Sequence, residues 1–194
     1  MEQSHSDYNG YRDIRLADDV ITLRKFTPDD AEDMLAGEDD ENVKWLQGGE
    51  KSTLESTRRW IEKSSSMMAW QFYDHYTFAI EDNESGKLAG MIDVNAMPDK
   101  ESHLQEGEAN IAYSIHPEFR GKGYAPRAVQ RVLIFLSSQH VERALIRVNP
   151  ENASSVRVAE KCGFTKSGKE WSNPQSGEHF IEFSKDLQHD SYGG

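Results

Sequence analysis

A single cysteine, Cys162, excludes an internal disulfide framework and a cysteine-based zinc cage. The seven histidines show no metal-ligand spacing, so no metal is expected. No apolar run can cross a bilayer: the longest, Val132 to Leu136, falls far short of the roughly 20 residues a span needs. The opening MEQSHSDYNG lacks the apolar centre of a signal peptide. A reducing, cytoplasmic setting away from membranes is therefore expected. Bases are scarce in the first 100 residues, where 11 face 22 acids for a net of −11. That excess argues against a nucleic-acid backbone as partner.

What is present suits one ordinary domain. The chain has 194 residues, 36% of them apolar and 29% charged, a soluble globular composition. Residues 1–19 lack apolar periodicity and are expected to form a loose arm, with residues 187–194 as a frayed tail and 20–186 as the domain. Val20 to Phe26 alternates as a strand does. Thr27-Pro28-Asp29-Asp30 starts a helix to about Leu35, and Thr53 opens a second to about Ser65. Tyr76–Glu81 and Leu88–Asn95 form a hairpin about Asn83–Gly86, and Ala109–Ile115 is a further strand. Helices follow from about Tyr124 to Ser138 and from Asn152 to Cys162, with a strand, Ala144–Val148, between them. Phe164–Gly168 and Phe180–Phe183 close the chain as strands. This order is mixed α/β, a mostly antiparallel meander followed by one strand–helix–strand crossover.

The second half is nearly neutral, yet residues 116–169 hold ten bases against four acids, a net of +6. Such a segment suits a local anionic ligand. Within it a buried strand runs into Arg120-Gly121-Lys122-Gly123-Tyr124-Ala125 and then a helix. Glycines allow close backbone approach. The helix start offers unpaired N–H groups and a partial positive charge. The combination suits pyrophosphate.

Arg120-x-x-Gly123-x-Ala125 resembles the acetyl-CoA signature of the GNAT N-acetyltransferases, (Gln/Arg)-x-x-Gly-x-(Gly/Ala). About 25 residues on, Asn152-x-x-Ser155 and Glu160-Lys161-x-Gly163-Phe164 resemble the second signature of the RimJ/RimL-type branch. Val20-Ile-Thr-Leu-Arg24 and Pro28-Asp-Asp-Ala31 are similar to that branch's opening. The resemblance implies a sheet splayed between the fourth and fifth strands, flanked by about four helices. It implies acetyl-CoA as co-substrate, held by Ile115, Arg120, Gly121, Lys122, Gly123, Tyr124, Ala125, Asn152 and Ser155. The reaction would be direct attack by an amine on the thioester, without a covalent enzyme intermediate.

Two departures from that pattern bear on catalysis. Many relatives carry a general-base Glu in a Glu-Ile-x-Tyr strand; here it is Asn110-Ile111-Ala112-Tyr113. Asn110 orients water but takes no proton, which leaves Glu108 and Asp93 as candidates to relay one. Many relatives also carry a Tyr, for protonating the leaving thiolate, where Ala159 stands; Ser155 becomes the candidate. The acceptor is open. An acidic half facing it favours a cation: a small amine such as an aminoglycoside antibiotic, or alternatively the N-terminus of a ribosomal protein. A non-catalytic acyl-CoA sensor is the third reading, and a homodimer is compatible with all three.

Overall fold

The computed structural model describes residues 14–46, 50–67, 75–98, 102–139, 141–172 and 177–188. Two β-strands, β1 (Leu16–Ala17) and β2 (Ile21–Lys25), precede three helices, α1 (Asp30–Ala36), α2 (Asp40–Leu46) and α3 (Leu54–Met67). The hairpin β3 (His75–Asp82) and β4 (Leu88–Asn95) leads to β5 (Glu108–Ile115), α4 (Tyr124–Ser137) and β6 (Arg143–Val148). Helix α5 (Ala153–Lys161) and strands β7 (Thr165–Ser172) and β8 (His179–Asp186) complete the chain. One eight-stranded sheet runs in the order β1-β2-β3-β4-β5-β6-β8-β7.

Every neighbouring pair is antiparallel except β5 and β6, which the crossover through α4 makes parallel. That pair holds only at Glu108–Asn110 against Arg143–Leu145, although β5 continues to Ile115 and β6 to Val148. Beyond Asn110 the strands diverge into a fork. This is the expected splay.

Helix α4 anchors one sheet face. Its stripe of Ala128, Val129, Val132 and Leu136 packs with Phe78, Ile92, Val94 and Ile111, all at most 1% exposed. Each large apolar side chain so buried contributes about 1.5–3 kcal/mol, so the α4 N-terminus is held rigidly beside β5. Phe26, Ala31, Ile61, Ala79 and Leu88 bind α1 and α3 to the opposite face. Gly90 sits at φ 150°, and a Cβ there would lie 2.1 Å from the Ser114 carbonyl oxygen. Only glycine lets β4 come so close to β5.

Two expectations need correcting. The sheet starts at Leu16, inside the segment read as a loose arm, because Leu16 and Ala17 pair with Leu23 and Thr22. Residues 1–13 and 189–194 lie outside the described residues. There are five α-helices among the described residues, not about four. The additional one, α2, is short and mostly polar, and its Glu41 and Asn42 contact a distant arginine.

Candidate active site

Strand β5 leaves the fork through a 3-10 turn, Pro117–Phe119, in which Phe119 N–H donates to the His116 carbonyl at 2.9 Å. Arg120–Gly123 follows and hands over to α4. Gly121 and Gly123 adopt φ 74° and 85°, the left-handed region that favours glycine. A Cβ on either would meet nothing within 4 Å. Packing therefore does not explain these glycines; the space beside them is a groove of about 480 Å³ running from the α4 N-terminus to the fork. The first turn of α4 faces it with amides that have no intrahelical partner, and Pro126 removes one donor where none is needed.

Ile115, Arg120, Gly121, Gly123, Tyr124, Ala125 and Ser155, all expected at the donor site, line this groove; Lys122 and Asn152 do not. Lys122 holds its Nζ 5.6 Å from the Phe119 ring centroid. Asn152 caps α5: its Oδ1 accepts from Ser155 N–H at 3.0 Å and from Ser154 Oγ at 2.8 Å.

Arg120 is not a free positive charge. Its two terminal nitrogens clasp Asp39 at 2.6 and 2.8 Å, with further bonds to Glu41 at 2.9 Å and Asn42 at 2.8 Å. Its Nε donates to the Ile115 carbonyl at 3.0 Å. The guanidinium holds the Asp39 carboxyl down to about 2. Arg120 thus ties α2 to the end of β5, and Glu41, Asn42 and Trp45 become a wall of the groove. The glycine turn and the helix terminus face the groove without a competing carboxylate, whereas this side chain is already paired.

Inside the fork, Ser155 Oγ lies 3.0 Å from Tyr113 Oη. The hydroxyls span from α5 to β5 where the strands part. Burial pushes the Tyr113 phenol well above its ordinary range, so it keeps its proton at all working pH values. Position 159, where the family resemblance implies a tyrosine, is a fully buried alanine. Tyr113 supplies a phenol from the facing strand instead.

The sheet face opposite α4 carries the other candidates. Asn110 ends the β5–β6 ladder, and its buried Oδ1 has no partner among the described residues. Glu108 is buried; its Oε2 accepts from Gln105 N–H at 3.0 Å, and Oε1 lies 3.6 Å from Arg143. Its carboxylate is already engaged at the foot of the strand, which weakens it as a relay. Asp93 pairs in register with Ala112 and Thr77. Its Oδ1 accepts from Thr77 Oγ1 at 2.6 Å and contacts His75 Nε2 at 2.8 Å. That carboxylate raises the proton affinity of His75.

The acidic first half is less available to a ligand than its composition suggests. Asp30 and Glu81 are bound by Arg24, Asp39 and Glu41 by Arg120, and Asp18 and Asp19 by Arg127. Among the aromatics, Trp60 packs edge-on against Phe26 at 5.3 Å in the core. Trp70, Phe72 and Tyr73 lie outside the described residues. Cys162 is buried, and burial raises its thiol, as packing rather than nucleophilic use requires. No metal-binding cluster is present among the described residues, and no helix is long and apolar enough to cross a membrane.

A glycine turn feeding a helix at the mouth of a parallel-strand fork narrows the choice of family, and the family model for "Acetyltransferase (GNAT) domain" matches residues 21–165. The chain belongs to the GNAT acetyltransferase family. It is 26% identical over 151 residues to the N-acetyltransferase p20 of Bacillus licheniformis, covering 76% of this chain and 80% of that one. The ribosomal-protein-S5-alanine acetyltransferase of Vibrio fischeri superposes with a TM-score of 0.74 at 19% identity, covering 94% of this chain and 100% of that chain. The microcin C7 self-immunity acetyltransferase MccE, solved with acetyl-CoA and AMP, superposes with a TM-score of 0.72 at 22% identity, covering 88% and 94%.

Within this GNAT domain, sequence reasoning missed three features. Tyr113 stands in the strand motif, which gives no sign that its hydroxyl meets Ser155. His75 lacked any metal spacing and had no other motif to mark it. The α2 wall has no helical apolar stripe. The one available signal was the acidic run Asp39-Asp40-Glu41, opposite a motif arginine that needed a partner.

Proposed function

We propose that this acetyltransferase moves the acetyl group of acetyl-CoA directly to a primary amine of a small cationic acceptor, an aminosugar of the aminoglycoside kind first among them. The carrying observation is the groove that joins the open glycine turn to the fork between β5 and β6. Acetyl-CoA suits it on two structural grounds. Gly121 and Gly123 leave unfilled space where a diphosphate meets amides, and the hydroxyls of Ser155 and Tyr113 meet on the wall of the same groove.

Each residue has a task in this reading. The amides of Gly121 to Ala125 hold the pyrophosphate, and the α4 terminus stabilises its charge. Asn152 acts by capping α5, which fixes Ser155 in place. Ser155, backed by Tyr113, donates a proton to the departing thiolate; with a thiol pKa near 8.5 that help is modest. Asn110 offers its unpartnered oxygen to a donor N–H at the fork. Proximity and orientation supply most of the rate.

A second reading, acetylation of a protein N-terminal α-amine, is favoured by the similarity to the S5-alanine acetyltransferase. A thiol-release screen separates the two. Purified protein with acetyl-CoA is offered aminosugars, polyamines and short peptides beginning with Ala, Ser or Met. Release with aminosugars alone supports the first reading, and release with peptides alone replaces it by the second. Acetyl-CoA binding without release from any amine returns the chain to an acyl-CoA sensor.

A further inference from the structure

The face of the sheet opposite α4 carries a row of polar residues, of which the strand motif marks Asn110 alone. His75 pairs with Asn95, and Asn95 with Asn110, so the three lie side by side on adjacent strands. In the next row stand Thr77, Asp93 and Ala112. With strands about 4.8 Å apart, His75 sits about 10 Å from Asn110, measured between Cα atoms. An ammonium group placed over Asn95 is within reach of both side chains. Three facts fit a built site. Asp93 is held by Thr77 at 2.6 Å, which fixes the oxygen that His75 meets at 2.8 Å. An ionised carboxylate only accepts, so neutral His75 carries its proton on Nε2 and leaves the Nδ1 lone pair unprotonated. His75 and Asp93 keep 28% and 26% of their side-chain surface exposed, so solvent and substrate reach them.

We propose that His75, oriented by Asp93, is the base that deprotonates the acceptor ammonium, replacing the strand glutamate that Asn110 has lost. The inference rests on the acetyl-transfer reading above. The ammonium N–H bond breaks and its proton goes to His75 Nδ1. The free amine then forms the new C–N bond at the thioester carbonyl. As the C–S bond breaks, the second amine proton passes to the thiolate through Ser155, and His75 returns its proton to water. Products are the amide, free CoA thiol and one proton. Two charged groups act on His75 from the elements packed against it: Asp93 of β4 favours its protonated form and Lys63 of α3 opposes it, and Asp93 is the stronger.

The test uses the full chain, acetyl-CoA and whichever amine of the screen the parent acetylates fastest. His75→Gln lowers kcat/KM at pH 7 by about 10²–10⁴-fold, the range of one general base, while acetyl-CoA affinity by calorimetry stays within threefold. In the parent, kcat/KM rises with pH through a midpoint above the ordinary histidine value of about 6.5. Asp93→Asn moves that midpoint downward, because the imidazole loses the carboxylate that raised it. His75→Gly recovers activity when imidazole is added. A parent-like pH profile in both His75→Gln and Asp93→Asn overturns the inference, as does activity within threefold of the parent. Failure of the parent to acetylate any amine in the screen overturns it together with the functional reading, a different result from an active parent with an indifferent His75.

Discussion

Gly123→Ala separates a glycine kept for a ligand from one kept for the fold. Gly123 has φ 85°, and a Cβ there would touch no protein atom within 4 Å. The folded state then bears only the cost of holding alanine in the left-handed region, about 1–2 kcal/mol. For a chain of this size each kcal/mol lowers Tm by roughly 2–4 °C, so a fall of about 2–8 °C is expected. On the proposed acetyl-CoA reading the methyl group enters the space a diphosphate oxygen would take, and loss of a single good anion contact is enough for a tenfold weaker Kd, since 1.4 kcal/mol is tenfold. Gly90→Ala is the contrast. Its Cβ would fall 2.1 Å from the Ser114 carbonyl oxygen, so β4 must move off β5, and overpacking of about 1–3 kcal/mol adds to the backbone strain. Calorimetry with acetyl-CoA and thermal melts of both variants decide the matter. Gly123→Ala should lose affinity and little stability, and Gly90→Ala should lose the larger part of its stability. Unchanged Kd in Gly123→Ala, or a Tm fall exceeding that of Gly90→Ala, refutes the argument.

Removing the Ser155 hydroxyl (Ser155→Ala) should lower kcat tenfold or more with acetyl-CoA affinity retained, and Tyr113→Phe should lower it less; turnover within twofold of the parent in both would make the hydroxyl pair a brace between β5 and α5. Arg120→Met should release α2, make Trp45 more accessible to acrylamide quenching and raise the acetyl-CoA Kd, at about 1 kcal/mol of stability for this partly solvated ion pair. Asp39 has its carboxyl held at about 2 against 3.8 when unpaired, so this contact is complete above pH 4 and lost as pH falls through 2. Trp45 quenching followed over that range should reveal the release, and a flat profile would show that α2 is held by other contacts. Gly37→Ala would put a Cβ 2.2 Å from the His116 ring, so it should destabilise the α1–α2 wall by about 1–3 kcal/mol, visible as a lower Tm; an unchanged Tm would mean the ring moves aside freely.

Local signals specified much of this molecule. The alternation of Val20–Phe26, the turn chemistry of Asn83–Gly86 and the apolar stripe of α4 each report on neighbours a few residues away, and the strands and helices they implied are present. The glycine turn was equally legible, because positive φ and a helix start are short-range properties. What the residues could not disclose is where a long side chain is used. Arg120 matched a donor-binding motif, yet its guanidinium meets Asp39, 81 residues earlier, and serves as a strut for α2. Tyr113 and Ser155 are 42 residues apart, and His75 and Asp93 are 18 apart. Their meeting depends on the β5–β6 fork and on the β3–β4 register. A one-residue slip in that register would send His75 to the other face of the sheet. Composition likewise counted the acids of the first half but not their partners, and only the tertiary fold showed that several are bound to Arg24, Arg120 and Arg127. The chain's own sequence determined which elements form and where the glycine turn lies. The packing of those elements decided which charges face the groove, because pairing between distant residues carries no local sequence pattern.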